Sequence, residues 1–189
     1  MDPKLLDKAR RYSTSRYLAL VAGFTALYLV YGYASGVVLG HTIFELDLFF
    51  LISVLFTILV SLTGRNWSAT ILGVITGLLL FGDPNAPVGI GLSLVPNGLV
   101  FDLVLRRNSV MDVLSRNRFV VAGAAGNFAM AIVGLLIVYV GGVLPTGVTL
   151  TVSALIALIG NPIVGALGAF LGTVVVERLG QRVTYPLTR

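Results

Sequence analysis

There is no cysteine in these 189 residues, and there is little charge. The missing thiol excludes disulfide frameworks, cysteine zinc sites, iron–sulfur clusters and thiol nucleophiles together. A single histidine excludes a His-Glu-x-x-His metal helix. Charged residues make up 11% of the chain, where a soluble domain carries about 25%. Hydrophobic residues make up 57%, and the mean hydropathy is +0.97. Thirteen Lys and Arg, eight Asp and Glu and one His cannot coat a water-facing surface of this size. The composition is that of an integral membrane protein. Runs such as Ile71 to Phe81 and Ala129 to Val140 are continuously apolar. They fit helices and not the alternating strands of a β-barrel.

A bilayer-crossing helix needs about 20 apolar residues. Six segments qualify, at roughly 17–37, 46–63, 67–81, 88–105, 119–143 and 150–177. Residues 1–189 are thus expected to form one all-α membrane domain, a compact bundle of six transmembrane helices. Residues 1–16 form a basic segment that leads into a span too long for a cleavable signal, so an interfacial helix is expected there.

The cations partition cleanly. Lys4, Lys8, Arg10, Arg11 and Arg16 precede span one, and Arg65 lies between spans two and three. Arg106, Arg107, Arg116 and Arg118 separate spans four and five, and Arg178, Arg182 and Arg189 follow span six. With six spans all thirteen fall on one side. The positive-inside rule makes that side, and both termini, cytoplasmic. The net charge of +5 is therefore a topology signal and not a nucleic-acid surface. The outer side carries His41, Glu45, Asp47, Asp83 and Asn85, with no Lys or Arg.

Small residues one helical turn apart let membrane helices approach closely. Such pairs are Ala22 and Ala26, Gly73 and Gly77, Ala122 and Gly126, and Gly168 and Gly172. The plain expectation is packing within the bundle. A partner-binding face is of most interest for span one, whose pair is all alanine. Pro96 and Pro162 fall inside spans four and six, where a missing N–H kinks or opens the helix. Asn97 and Asn161 adjoin them, and Asn127 lies in span five. Intramembrane asparagines are costly unless paired. They either bond between helices or face a ligand beside a broken helix.

Catalytic constellations are missing. The acids are scattered, and Asp102, within span four, stands one turn before Arg106, which suggests an i,i+4 ion pair. His41, Glu45 and Asp47 could ligate a metal only by a chance arrangement, and no glycine loop cradles a phosphate. No enzyme, cofactor or metal is expected.

Six spans in about 190 residues with almost no soluble mass resemble the substrate-binding S components of energy-coupling factor (ECF) vitamin transporters. Three local features accompany the size. They are Ala22-xxx-Ala26 on the first helix, Gly73 and Gly77 followed by a Gly82-Asp-Pro turn, and Val95-Pro-Asn-Gly-Leu-Val-Phe-Asp102 in the fourth. The resemblance implies that Ala22 and Ala26 dock on a transmembrane coupling subunit that works with two ATPase subunits. It also implies an outer pocket for a vitamin-like molecule, closed by the loop after span one, here Tyr31 to Asp47. Depth and side then nominate Tyr31, Tyr33, His41, Glu45, Asn85, Asn97, Tyr139 and Asn161 as ligand contacts. The tyrosines equally suit an interfacial aromatic belt. Three outer carboxylates without a cation favour a neutral or cationic ligand, such as thiamine or a pyrimidine precursor, over an anion. Two other readings fit the outline. One is a scaffold of the cell envelope. The other is a lipid-modifying enzyme using Asp102 or Asp83.

Overall fold

The computed structural model describes residues 14–39, 46–81, 90–106, 115–141 and 150–184. Among them every regular element is a helix. α1 is Thr14–Leu39, α2 Leu46–Thr63 and α3 Ser68–Leu80. A 3-10 turn, Ile90–Ser93, leads into α4, Leu94–Leu105. α5 is Arg116–Gly141. The last helix is composite: α6 (Leu150–Leu155), a π-helical segment (Ile156–Gly160) and α7 (Asn161–Thr184) run on without a break.

Each expected span falls on one of these helices. Four stretches are long and apolar enough to cross a bilayer: Thr14–Ser35, Leu46–Thr63, Arg116–Gly141 and Ile156–Leu179. α3, with 13 residues, and Ile90–Leu105 are shorter. At about 1.5 Å per residue α3 is about 20 Å long, against a hydrocarbon core of about 30 Å.

Polar side chains are buried within an apolar core, and large apolar side chains cover the outside. Thr25, Ser53, Thr57, Thr76, Asn97, Asp102, Asn127 and Asn161 are buried. Leu27, Val30, Leu78, Leu136 and Ile163 are exposed, and Val140 is 83% exposed. A water-soluble fold coats its outside with charged and polar side chains instead. An apolar solvent around the helices accounts for both halves of this pattern.

Glycines set the helix contacts. α7 packs on α2 and α5, α5 on α4, and α4 on α3. A Cβ at Gly123 of α5 would strike the carbonyl of Gly165 on α7, and one at Gly165 would strike the carbonyl of Gly123. Gly168 of α7 is closed in the same way by the Phe50 carbonyl of α2, and Gly172 by the Thr57 side chain and the Val54 carbonyl. On α3, a Cβ at Gly73 would lie 2.5 Å from the Leu94 carbonyl oxygen, and one at Gly77 2.5 Å from that of Gly91. Backbone meets backbone at these crossings, as close membrane packing requires.

α1 lies outside this set, against α2 and α3. It buries one stripe at helical spacing: Tyr17, Val21, Thr25 and Tyr28. Thr25 Oγ1 lies 3.4 Å from Thr76 Oγ1. The row Leu18, Ala22, Ala26, Val30 and Tyr33 is exposed throughout.

Pro96 does not kink a helix. Residues 90–93 wind as a 3-10 turn, so Pro96 falls in the first turn of α4, where an N–H has no intrahelical partner to lose. Asp102 does not pair with Arg106. Its Oδ2 accepts from the backbone N–H and the hydroxyl of Thr70, both at 2.7 Å. It thereby caps α3 from a neighbouring helix, and α3 needs this because Trp67 at its N-cap makes no side-chain cap. Trp67 and Gly64, in the tight connection from α2 to α3, both have positive φ.

Further contacts tie the helix ends together. The Arg65 guanidinium stacks 4.7 Å above the Tyr17 ring. Arg118 donates to the carbonyls of Val104 and Arg106. Arg116 forms a two-bonded ion pair with Glu177 and lies over the Phe170 ring. The start of α1, the end of α2, the start of α3, the end of α4, the start of α5 and the end of α7 thus share one face of the bundle. The arginines among the described residues lie at that face.

Candidate functional site

The centre of the bundle is a knot of amides. Asn127 projects from α5 beside Gly126, where the missing side chain leaves room for Asn97. Asn127 Oδ1 accepts from Asn97 Nδ2 of α4 at 2.8 Å and from Ser53 Oγ of α2 at 3.3 Å. Asn127 Nδ2 donates to the carbonyl of Phe49 on α2 at 3.1 Å and to that of Asn161 on α7 at 3.2 Å. One amide uses its full capacity of two donors and two acceptor sites, and it joins four helices. Asn97 Nδ2 also reaches Met130 Sδ at 3.2 Å. Gly165 lets α7 come close, because a Cβ there would sit 2.8 Å from the Cβ of Asn127.

Two acceptors of the knot are unmet. Asn97 and Asn161 are 0% and 2% exposed, and the Oδ1 of each has no hydrogen-bond partner among the described residues. The Asn97 oxygen rests on the Gly126 backbone. The Asn161 oxygen stands where the π segment ends and Pro162 follows. The knot is made of amides, one hydroxyl, one thioether and backbone carbonyls. None of these exchanges a proton near neutral pH. Its chemistry is hydrogen bonding, not acid–base or nucleophilic work.

The nominated ligand contacts divide into four groups. Asn97 and Asn161 come together through Asn127. Tyr31 belongs elsewhere: with Ser35 it reaches Asp47 at the start of α2, and Ser35 Oγ donates to Asp47 Oδ2 at 2.8 Å. These bonds hold together the two ends of the connection from α1 to α2. Tyr33 and Tyr139 are 73% and 68% exposed on the outer surface of the bundle. His41, Glu45 and Asn85 lie outside the described residues. Among the described residues no three His, Cys, Asp or Glu side chains gather as a metal site. Ser53, Met130 and the Ser35–Asp47 pair were not legible as contacts. Their partners are 12 to 74 positions away in the chain, and no local pattern encodes them.

The small-residue pairs also divide. Gly73 with Gly77, Ala122 with Gly126, and Gly168 with Gly172 are consumed inside the bundle. Ala22 and Ala26 are exposed, and a Cβ at Gly23 between them would meet nothing within 4 Å. Comparison with family models, with curated proteins and with solved structures finds no match to this chain.

Proposed function

We propose that this chain is the substrate-capture subunit of an ECF-type ABC importer in a cell membrane. In this reading it crosses the membrane six times with both termini cytoplasmic. It binds a vitamin-like molecule from outside and hands it on with a separate coupling subunit and two ATPases. The observation that carries the reading is the outer face of α1. Three of the four small-residue pairs are closed by the chain's own helices, and only Ala22 and Ala26 are left uncovered. Two alanines between Leu18 and Val30 make a shallow notch that a helix of a membrane partner can enter closely. The peripheral seat of α1, held by one stripe against α2 and α3, fits a helix that serves two partners.

The cation-free outer side and the amide-lined interior favour a neutral or cationic ligand with N–H donors, such as thiamine or a pyrimidine precursor. Asn97 and Asn161 supply acceptor oxygens for such donors. Native mass spectrometry of the purified protein tests the reading. A small organic molecule bound one-to-one supports it and names the substrate. A folded, empty protein that no vitamin stabilises against heat removes it and leaves the envelope scaffold. Ala22→Leu and Ala26→Leu then separate the two roles of α1. In the transporter reading they abolish association with a coupling subunit and leave ligand binding unchanged.

A further inference from the structure

The last helix is held in two different ways along its length. Inward of Asn161 it is fixed by backbone contact. Gly165 lies on Gly123, Gly168 on the Phe50 carbonyl and Gly172 on the Val54 carbonyl beside the Thr57 side chain. Outward of Asn161 the π segment still packs on α5, but among the described residues Leu150–Leu155 lies against little beyond its own continuation. Ala157 is buried, Leu155 and Ile159 are exposed as Ile163 and Leu167 are, and a Cβ at Gly160 would come no closer than 3.5 Å to a neighbour. The change of grip coincides with a change of backbone. Ile156–Gly160 is π-helical, with hydrogen bonds that reach back five residues instead of four. Pro162 follows at once and has no N–H to give to the turn before it. The ladder is therefore weakest where the packing changes. The unmet Asn161 Oδ1 sits at the same point. An opening there that admits water or a donor group satisfies that oxygen, and the closed arrangement leaves it bare.

We propose that Gly160–Pro162 is a hinge, and that residues 150–160 swing about it as a flap over the outer end of the amide knot. The hinge stands on the packing alone. That the flap admits a ligand rests on the substrate-capture reading. Leu155 lies six residues outward of Asn161, about 9 Å along the axis, so a 30° swing moves it by about 5 Å.

The absence of native cysteine lets spin labels be placed freely in the full chain in lipid nanodiscs. One pair, Leu155→Cys with Leu78→Cys, spans the bundle outward of the hinge. A second, Leu171→Cys with Ile71→Cys, spans it inward. All four positions are exposed. The expected result is a narrow inner distance distribution and an outer one that is two-peaked or broader by about 5 Å. Pro162→Ala restores the N–H and should narrow the outer distribution and leave the inner one alone. An outer pair as narrow as the inner pair in the unmodified helix overturns the hinge, whether or not the proline variant folds. So does an outer distribution that Pro162→Ala does not change. A mobile outer pair in a protein that binds no vitamin keeps the hinge and removes the transporter reading. A rigid outer pair in a ligand-binding protein does the opposite.

Discussion

Replacing Asn127 by alanine removes four hydrogen bonds at once: two accepted, from Asn97 and Ser53, and two donated, to the carbonyls of Phe49 and Asn161. Interhelical hydrogen bonds in membranes average about 0.6 kcal/mol each, so the bonds alone amount to about 2.4 kcal/mol. The hydroxyl of Ser53 is then stranded in a dry interior, which takes the expected loss to about 3 kcal/mol. Asn161→Ala is the contrasting perturbation. Asn161 is equally buried, but its side-chain oxygen has no partner, and its contribution to the knot is a backbone carbonyl that alanine keeps. Its expected loss is under about 1 kcal/mol. Reversible unfolding in mixed micelles of detergent and sodium dodecyl sulfate measures both. The reasoning is refuted if the two variants lose similar stability, or if Asn161→Ala loses more. Either result would mean that burial of an amide, and not its bonding, sets the cost.

Glycine positions offer a second contrast. Gly123→Ala or Gly165→Ala forces a methyl against a backbone carbonyl and should cost about 1–3 kcal/mol. Gly23→Ala meets open space and should be neutral or stabilising by up to about 1 kcal/mol in the same unfolding assay. Asp102→Ala removes the cap of α3 and should cost about 1–2 kcal/mol, whereas Asp102→Asn keeps an acceptor and should recover part of it. Asp102→Ala should also speed amide exchange at Ala69 and Thr70 selectively, and uniform exchange along α3 would contradict the capping role. Ala22→Leu should leave thermal stability unchanged, because the site is uncovered in the isolated chain.

Most of the helical layout was legible because lipid makes it so. A chain that must satisfy its backbone internally and present apolar side chains outward declares its spans as apolar runs. The turn at Gly64–Trp67 and the start of α5 at Arg116 fall close to where those runs break. What was not legible depends on which helix lies beside which. Asn97, Asn127 and Asn161 look alike in sequence, yet only Asn127 has both ends of its amide satisfied. The register of α4, α5 and α7 decides that, and it is set by glycines such as Gly123, Gly126 and Gly165, whose partners lie on other helices. Asp102 shows local and distant partners in competition. Arg106 is one turn away, but α3 presents unmet N–H groups nearby, and two short bonds to Thr70 win. The exposed face of α1 follows from which stripe carries the larger anchors. Tyr17, Val21 and Tyr28 take the inward side and leave the alanines outside.

The cap on α3 bears on how the chain is made. A helix of 13 residues is too short to be released alone from a translocon into a bilayer, and its first N–H groups have no cap of their own. Both deficits are met by the segment that follows: α4 supplies Asp102 and the Leu94 carbonyl at Gly73, and the 3-10 turn before it supplies Gly91 at Gly77. Biogenesis then has a fixed unit. The expected consequence is that α3 enters the lipid together with α4, as one hairpin.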